Sequence, residues 1–175
     1  VAGAGASGIP AAIAAARAGA KVVLLEEDMI PGGAPVNMFV TQICGGPRTG
    51  IYREMIQKLN AEHNLSGTPI AAAGKSGEDN KKHWYLPSSF IQVLLQMIAQ
   101  EKNITLLCGA MVVDTIVEDS GNSNKVLGVR ILRNDGTLQN IMAMVTIDAT
   151  GTGFVAAQAG CDIMYGREAK QDFNE

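Results

Sequence analysis

Three glycines near the start of the chain, Gly3, Gly5 and Gly8, have the spacing Gly-x-Gly-x-x-Gly. In such a motif the first glycine allows a sharp turn, the second lets a diphosphate approach the backbone, and the third lets a helix pack closely on a sheet. The N–H groups at the helix N-terminus then bind the anion without lysine or arginine. The motif therefore predicts a dinucleotide diphosphate site on the backbone of Gly3, Gly5, Ala6, Ser7 and Gly8.

An acidic residue follows at the distance that this chemistry requires. Glu26 lies 18 residues beyond Gly8 (26 − 8) and ends an apolar segment. A carboxylate there can accept hydrogen bonds from the adenosine ribose hydroxyls, and it would repel a 2′-phosphate. Glu26 and the adjacent Glu27 are thus predicted cofactor contacts. The alternative for the glycines, a turn that binds no dinucleotide, is disfavoured by this acid and by the predicted elements around the motif.

The elements around the glycines form a βαβ unit. Val1-Ala2 is predicted to be the end of a first strand, and residues 7–18 are predicted to be a helix that Gly19 terminates. The β-branched run at 21–26 predicts a strand that is buried on both faces of a parallel sheet. A strand, a tight turn, a helix and a second strand are the order of a dinucleotide-binding half.

Further along, the chain alternates between loops and regular elements. Residues 29–50 are rich in Gly and Pro and predict an ordered loop, and residues 74–82 form the most polar segment. Apolar spacing predicts helices over 51–63 and from Pro87 to about 103. A buried strand is expected at 104–108.

The last third of the chain predicts mostly strands. Three extended segments separated by turn residues predict an antiparallel meander, and Asp148 is expected to anchor backbone donors near its end. The segments are 111–118, 126–133 and 138–144, followed by a strand at 145–149 and a short helix at 154–160.

Four motifs resemble the FAD-binding domain of FAD-dependent oxidoreductases with the glutathione-reductase type of fold. They are GAGASG (3–8), VVLLE (22–26), PGG (31–33) and IDATG (147–151). The resemblance implies an α/β fold of the Rossmann type, with a central parallel sheet and an antiparallel meander, and it implies FAD rather than NAD. Residues 33–45 contain no histidine or tyrosine that could form a covalent link, so the FAD is expected to be noncovalent. The resemblance also implies that a substrate exchanges a hydride with flavin N5.

The same resemblance assigns roles to two further segments. Gly32 and Gly33 are expected near the diphosphate and ribityl chain, and Ala149, Thr150 and Gly151 are expected to pack beside the glycine turn against the cofactor. Related chains often read ATGDGD, whereas this chain has Thr152 and Phe154 in place of the two acids. Relatives also have a longer first strand and a substrate domain, so residues 1–175 are expected to be a single domain cut from a larger protein.

Composition limits the remaining possibilities. The chain of 175 residues has a net charge of −3, which argues against a nucleic-acid partner. No run of about 18 uncharged apolar residues predicts a membrane span. Three widely separated cysteines without zinc-site spacing predict reduced thiols, no metal site and a cytoplasmic location. The expected partner is a small-molecule substrate, and the oligomeric state is not predicted.

The sequence assigns no catalytic acid or base. Cys44 follows the double glycine at a distance that could bring it near a flavin, but a small packed thiol is the preferred interpretation. His83 is interpreted as a packing or exposed residue. Three functional hypotheses therefore stay open: an FAD-dependent enzyme, a dinucleotide-binding domain without turnover, and an NAD-binding module.

Overall fold

A computed structural model of the chain describes residues 1–43, 49–66, 83–119, 121, 124–164, 166–167 and 170. Helices and strands alternate through the first two thirds, and strands dominate the rest. The helices are α1 (Gly8–Arg17), α2 (Ala34–Asn37), α3 (Gly50–Ser66), α4 (Pro87–Gln100) and α5 (Phe154–Gln158). The strands are β1 (Val22–Leu25), β2 (Gln42–Ile43), β3 (His83–Trp84), β4 (Ile104–Leu107), β5 (Ala110–Asp119), β6 (Asn124–Arg133) and β7 (Leu138–Met142).

A parallel sheet lies at the centre of the fold. β1 and β4 pair in parallel along their whole lengths, from Val22 opposite Ile104 to Leu25 opposite Leu107. Ala2 extends the sheet on the other side of β1, because it forms one parallel bridge to Leu25 and another to Asp148. The spatial order is therefore β4, β1, Ala2 and Asp148, and the glycine turn leaves the sheet directly after Ala2.

Helices cover one face of this sheet. The residues of α1 that are buried recur at helical spacing, Ile9, Ala12, Ile13 and Ala16, so one stripe of the helix faces inward. They pack in a single cluster with Val22 and Leu24 of β1 and with the apolar stripe of α4. Within the described ranges, no helix is long and apolar enough to cross a membrane.

The three-stranded antiparallel sheet β5–β6–β7 belongs to the opposite face. Leu25 of β1 is buried together with Val129 and Ile131 of β6, and Val23 packs at the edge of the same cluster. Successive residues of β1 thus alternate between two cores, one on each face. This burial on both faces explains why the strand has no polar residue between Val22 and Leu25.

Most predicted elements are confirmed, with boundaries shifted by a few residues. The predicted strand at 145–149 is wrong: only Asp148 forms a bridge, and the side chain of Val145 is 76% exposed. The chain bends at Met144 and Val145, and the segment meets a ladder partner only at Ala2, so β-propensity alone does not build a strand there. The predicted loop at 29–50 contains the one-turn helix α2 and the short strand β2, which pairs with β3. The polar segment 74–82 lies outside the described residues.

Candidate dinucleotide-binding site

The glycine turn is packed so tightly that two of its glycines have no space for a side chain. Gly3 has a φ of +99°, and a Cβ on it would lie 2.3 Å from the carbonyl oxygen of Ala149. A Cβ on Gly8 would lie 1.8 Å from the carbonyl oxygen of Gly3. These clashes are with backbone atoms, which cannot rotate away. The first and third glycines of the motif are therefore required by packing, as the sequence predicted.

The turn leaves backbone donors available at the N-terminus of α1. The N–H groups of Gly5, Ala6 and Ser7 have no acceptor within the described part of the chain, and Ala6 and Ser7 are exposed. The Ser7 side chain makes no capping hydrogen bond. Residues 1–10 and 26–36 contain no lysine or arginine. Any anion held here would therefore be stabilised by N–H groups and by the dipole of a ten-residue helix.

Ala4 connects three segments through its backbone. Its N–H donates to Oε2 of Glu26 at 2.9 Å, and its carbonyl oxygen accepts from the N–H of Gly32 at 2.8 Å. Ala4 itself has no exposed surface. The glycine turn, the end of β1 and the double-glycine turn are consequently fixed against one another by two hydrogen bonds at one residue.

Glu26 is more constrained than the sequence suggested. Its side chain is only 7% exposed, and its second oxygen, Oε1, accepts the N–H of Asp28 at 3.1 Å. Both carboxylate oxygens therefore already bind backbone donors. A carboxylate has about four acceptor positions, so contact with a ribose hydroxyl stays a prediction that this geometry allows. Glu27 is exposed, and its contact with the cofactor also stays a prediction.

The two glycine turns meet backbone to backbone. Gly33 has a φ of +60°, and a Cβ on it would lie 3.0 Å from the Cα of Gly5. Gly32 is buried with a φ of +129°, and a Cβ on it would lie 2.5 Å from Cγ2 of Val36. A side chain at Gly33 would enter the space between the turns, whereas one at Gly32 would clash with Val36 in the core. Unpaired N–H groups beside a cradle free of side chains fit the diphosphate of a dinucleotide.

Asp148 holds the third segment, Ala149-Thr150-Gly151, beside the glycine turn. Its Oδ1 accepts from both the N–H and the hydroxyl of Thr150, at 3.0 and 2.7 Å, and its Oδ2 accepts the N–H of Ala156 at 2.9 Å. Burial acts to raise the pKa of Asp148, but these hydrogen bonds outweigh it and hold the pKa below 3.8. The sequence correctly identified Asp148 as an anchor of backbone donors. Gly151 is exposed at a φ of +79°.

Other candidate residues are not joined to this cluster. Cys44 lies outside the described residues, and for His83 the structure describes only the backbone, in β3. Cys108, to which the sequence assigned no role, directly follows β4, and burial together with the charge of Glu26 raises the pKa of its thiol. The role of Ala4 was also not predicted from the sequence. Ala4 acts through its backbone N–H and carbonyl groups, which do not depend on the residue type.

Solved structures with the same fold are numerous, and three illustrate the range. THI4 from Thermovibrio ammonificans matches with a TM-score of 0.62 and 16% identity, over 92% of this chain and 62% of that one. A flavoprotein/dehydrogenase from Cytophaga hutchinsonii matches with a TM-score of 0.59 and 20% identity, over 95% and 42%. A geranylgeranyl bacteriochlorophyll reductase-like protein from Thermoplasma acidophilum matches with a TM-score of 0.53 and 17% identity, over 81% of this chain and 36% of that one. The chain thus spans less than two thirds of each.

Sequence comparison identifies the family. No curated protein matches the chain. The family model described as FAD dependent oxidoreductase, however, matches all of residues 1–175. The glycine motif alone is compatible with FAD and with NAD, and this match decides in favour of FAD. The chain belongs to the FAD-dependent oxidoreductase family, and its cofactor is FAD.

Proposed function

We propose that this chain is the FAD-binding domain of a flavin-dependent oxidoreductase, in which a small-molecule substrate exchanges a hydride with the flavin. The observation that carries the proposal is the arrangement at Ala4. Its two hydrogen bonds bring the glycine turn, Glu26 and the double-glycine turn to one place, beside unpaired N–H groups. Bound FAD would supply the redox chemistry at its N5 position, and the protein would supply binding and orientation.

The residues divide the binding work by chemical type. The N–H groups of Gly5, Ala6 and Ser7 would neutralise the diphosphate, and the Ser7 hydroxyl, which caps nothing, is free to donate to it. Glu26 would accept from the adenosine ribose. Gly33 would allow the ribityl chain to pass close to the backbone. These roles are proposals that the geometry supports.

No acid or base is assigned to the hydride exchange. The described part of the site contains acids at Glu26, Glu27 and Asp28, and the first of these already holds two backbone N–H groups. Asp148, the fourth acid of the site, already holds Thr150 and Ala156. Glu27 and Asp28 follow the proposed ribose contact Glu26, so we propose that a group that moves a substrate proton comes from elsewhere in the protein. The substrate and the electron acceptor are accordingly left as a class, namely small organic molecules that can give or take a hydride.

Spectroscopy of the purified full-length protein, of which residues 1–175 are expected to be one domain, tests the proposal. We expect visible flavin absorbance that stays with the protein through gel filtration and is released as free FAD on denaturation. Steady-state turnover with an artificial electron acceptor, measured over a panel of reduced substrates, would then separate an enzyme from a domain that binds FAD without turnover. A protein that takes up no FAD would contradict the proposed function. FAD binding without turnover on any substrate would contradict only the hydride exchange.

A further inference from the structure

An exposed apolar segment follows α2. The side chains of Met38, Phe39 and Val40 are 75%, 74% and 50% exposed. Phe39 has a φ of +53°, and within the described residues it is the one non-glycine residue in the left-handed region. This backbone conformation is sterically disfavoured for any residue that has a Cβ. A large aromatic residue is therefore held in an unfavourable conformation while its ring contacts solvent.

Neighbouring hydrogen bonds impose this conformation. The carbonyl oxygen of Ala34 accepts the N–H groups of both Met38 and Val40, each at 3.2 Å, so the residues on either side of Phe39 are fixed to one atom. Tyr85 donates its hydroxyl to the carbonyl oxygen of Val40 and its N–H to the carbonyl oxygen of Thr41. Tyr85 is 5% exposed and stacks on the ring of Phe90. The segment is thus anchored to the core of the protein.

The segment is also continuous with the proposed diphosphate cradle. Gly33, which stands against Gly5, is the N-cap of α2. α2 has four residues and is about 6 Å long. Phe39 lies two residues beyond the end of α2 and six residues along the chain from Gly33. Strained residues with no structural purpose of their own concentrate at ligand-binding sites, where the surrounding structure maintains them.

We propose that Phe39 is a contact residue for the isoalloxazine ring of FAD, with Met38 and Val40 as its apolar surroundings. The inference rests on the proposed FAD site. The isoalloxazine is a planar aromatic system, and aromatic rings attract one another in offset or edge-to-face arrangements. In the holoprotein this contact would bury the Phe39 ring that is otherwise exposed, and the anchored backbone would keep the ring in position.

Introducing an indole at this position tests the contact directly. An indole touching an isoalloxazine quenches flavin emission by electron transfer to the excited ring. In the FAD-loaded Phe39→Trp variant, with the flavin excited directly, we expect loss of most of the flavin emission seen in wild type. Met142→Trp is the matched control, since Met142 is apolar and 59% exposed on β7. Its emission should equal that of wild type. Undiminished emission from Phe39→Trp overturns the inference.

Phe39→Gly provides a second measurement that does not depend on fluorescence. Glycine accepts a φ of +53° without strain, so the fold should be maintained and the melting temperature of the FAD-free protein should not fall. Loss of the ring contact should weaken FAD binding roughly threefold to tenfold, measured by titration. If wild type binds FAD and Phe39→Gly binds it with the same affinity, this inference is overturned and the proposed function is not. A wild-type protein that binds no FAD overturns both this inference and the proposed function.

Discussion

Replacing Glu26 by glutamine separates its structural role from its proposed role in FAD binding. In the native protein the two carboxylate oxygens accept the N–H groups of Ala4 and Asp28. Glutamine has nearly the same shape but only one side-chain oxygen. In Glu26→Gln the amide NH₂ must therefore face one of the two N–H donors, so that one backbone donor loses its acceptor. The negative charge that strengthens both hydrogen bonds is lost as well.

The magnitude follows from burial. Glu26 is 7% exposed and Ala4 is fully buried, so water cannot replace the missing acceptor at Ala4. We expect the amide oxygen to stay with Ala4 and the NH₂ group to face Asp28. Asp28 is exposed, so water can reach its freed N–H, and the cost is that of the lost charge-assisted hydrogen bond to Asp28 and the weakened one to Ala4, about 2 kcal/mol in all. For a chain of this size that free energy lowers the melting temperature by about 4–8 °C.

Thermal unfolding of the FAD-free protein, followed by circular dichroism, measures this structural effect alone. Glu27→Gln is the matched control, because Glu27 is the adjacent carboxylate and is exposed. The control should shift the melting temperature by only about 1–2 °C. Titration with FAD then reports any additional loss at the ribose. Equal melting temperatures for the two variants would refute the structural role that we assign to Glu26.

Three further predictions concern the same site. Gly8→Ala should lower the melting temperature, because the new Cβ would lie 1.8 Å from the Gly3 carbonyl oxygen. Alanine favours helices over glycine by about 1 kcal/mol, so a higher melting temperature would show that the tight packing at Gly8 is absent. Gly33→Ala should purify without flavin absorbance but with unchanged helix content by circular dichroism, since its Cβ closes on Gly5; retained flavin would argue against the cradle. The charged form of Asp148 stabilises the fold above its ordinary pKa of 3.8, and this contribution is lost as pH falls through the lowered pKa. Urea titrations of Asp148→Asn should therefore show its largest deficit against wild type near neutral pH and a smaller one in acid; a deficit independent of pH would contradict this.

The βαβ unit and the meander could be predicted from sequence because their signals are local. The stripe of α1, the β-branched run of β1 and the turn residues between the meander strands each act within a few residues. The segment 145–149 has the same kind of local signal, but a strand also needs a neighbour to pair with. The backbone of Ala2 supplies hydrogen bonds only at Ile147 and Ala149, so the residues before them form no ladder.

The candidate site was predictable where it depends on residue type and unpredictable where it depends on backbone geometry. Glycines at Gly3, Gly8 and Gly33 are visible in sequence because no other residue fits the space. The hydrogen bonds of Ala4 are invisible, since every residue except proline carries the same N–H and carbonyl groups. The buried state of Glu26 was missed for a related reason: its partners are backbone groups, which the chain positions only after folding.

A site made mostly of backbone explains how proteins with very different sequences can share this fold. The proposed anion site requires glycine at a few positions, one carboxylate at the end of β1 and an apolar pattern that places α1 on the sheet. Nearly every other residue can change without moving the N–H groups. The fold can therefore be the same in structures only 16–20% identical to this chain. Residues that distinguish one such protein from another must then lie where side chains reach beyond the backbone cradle, and Phe39 is in such a position.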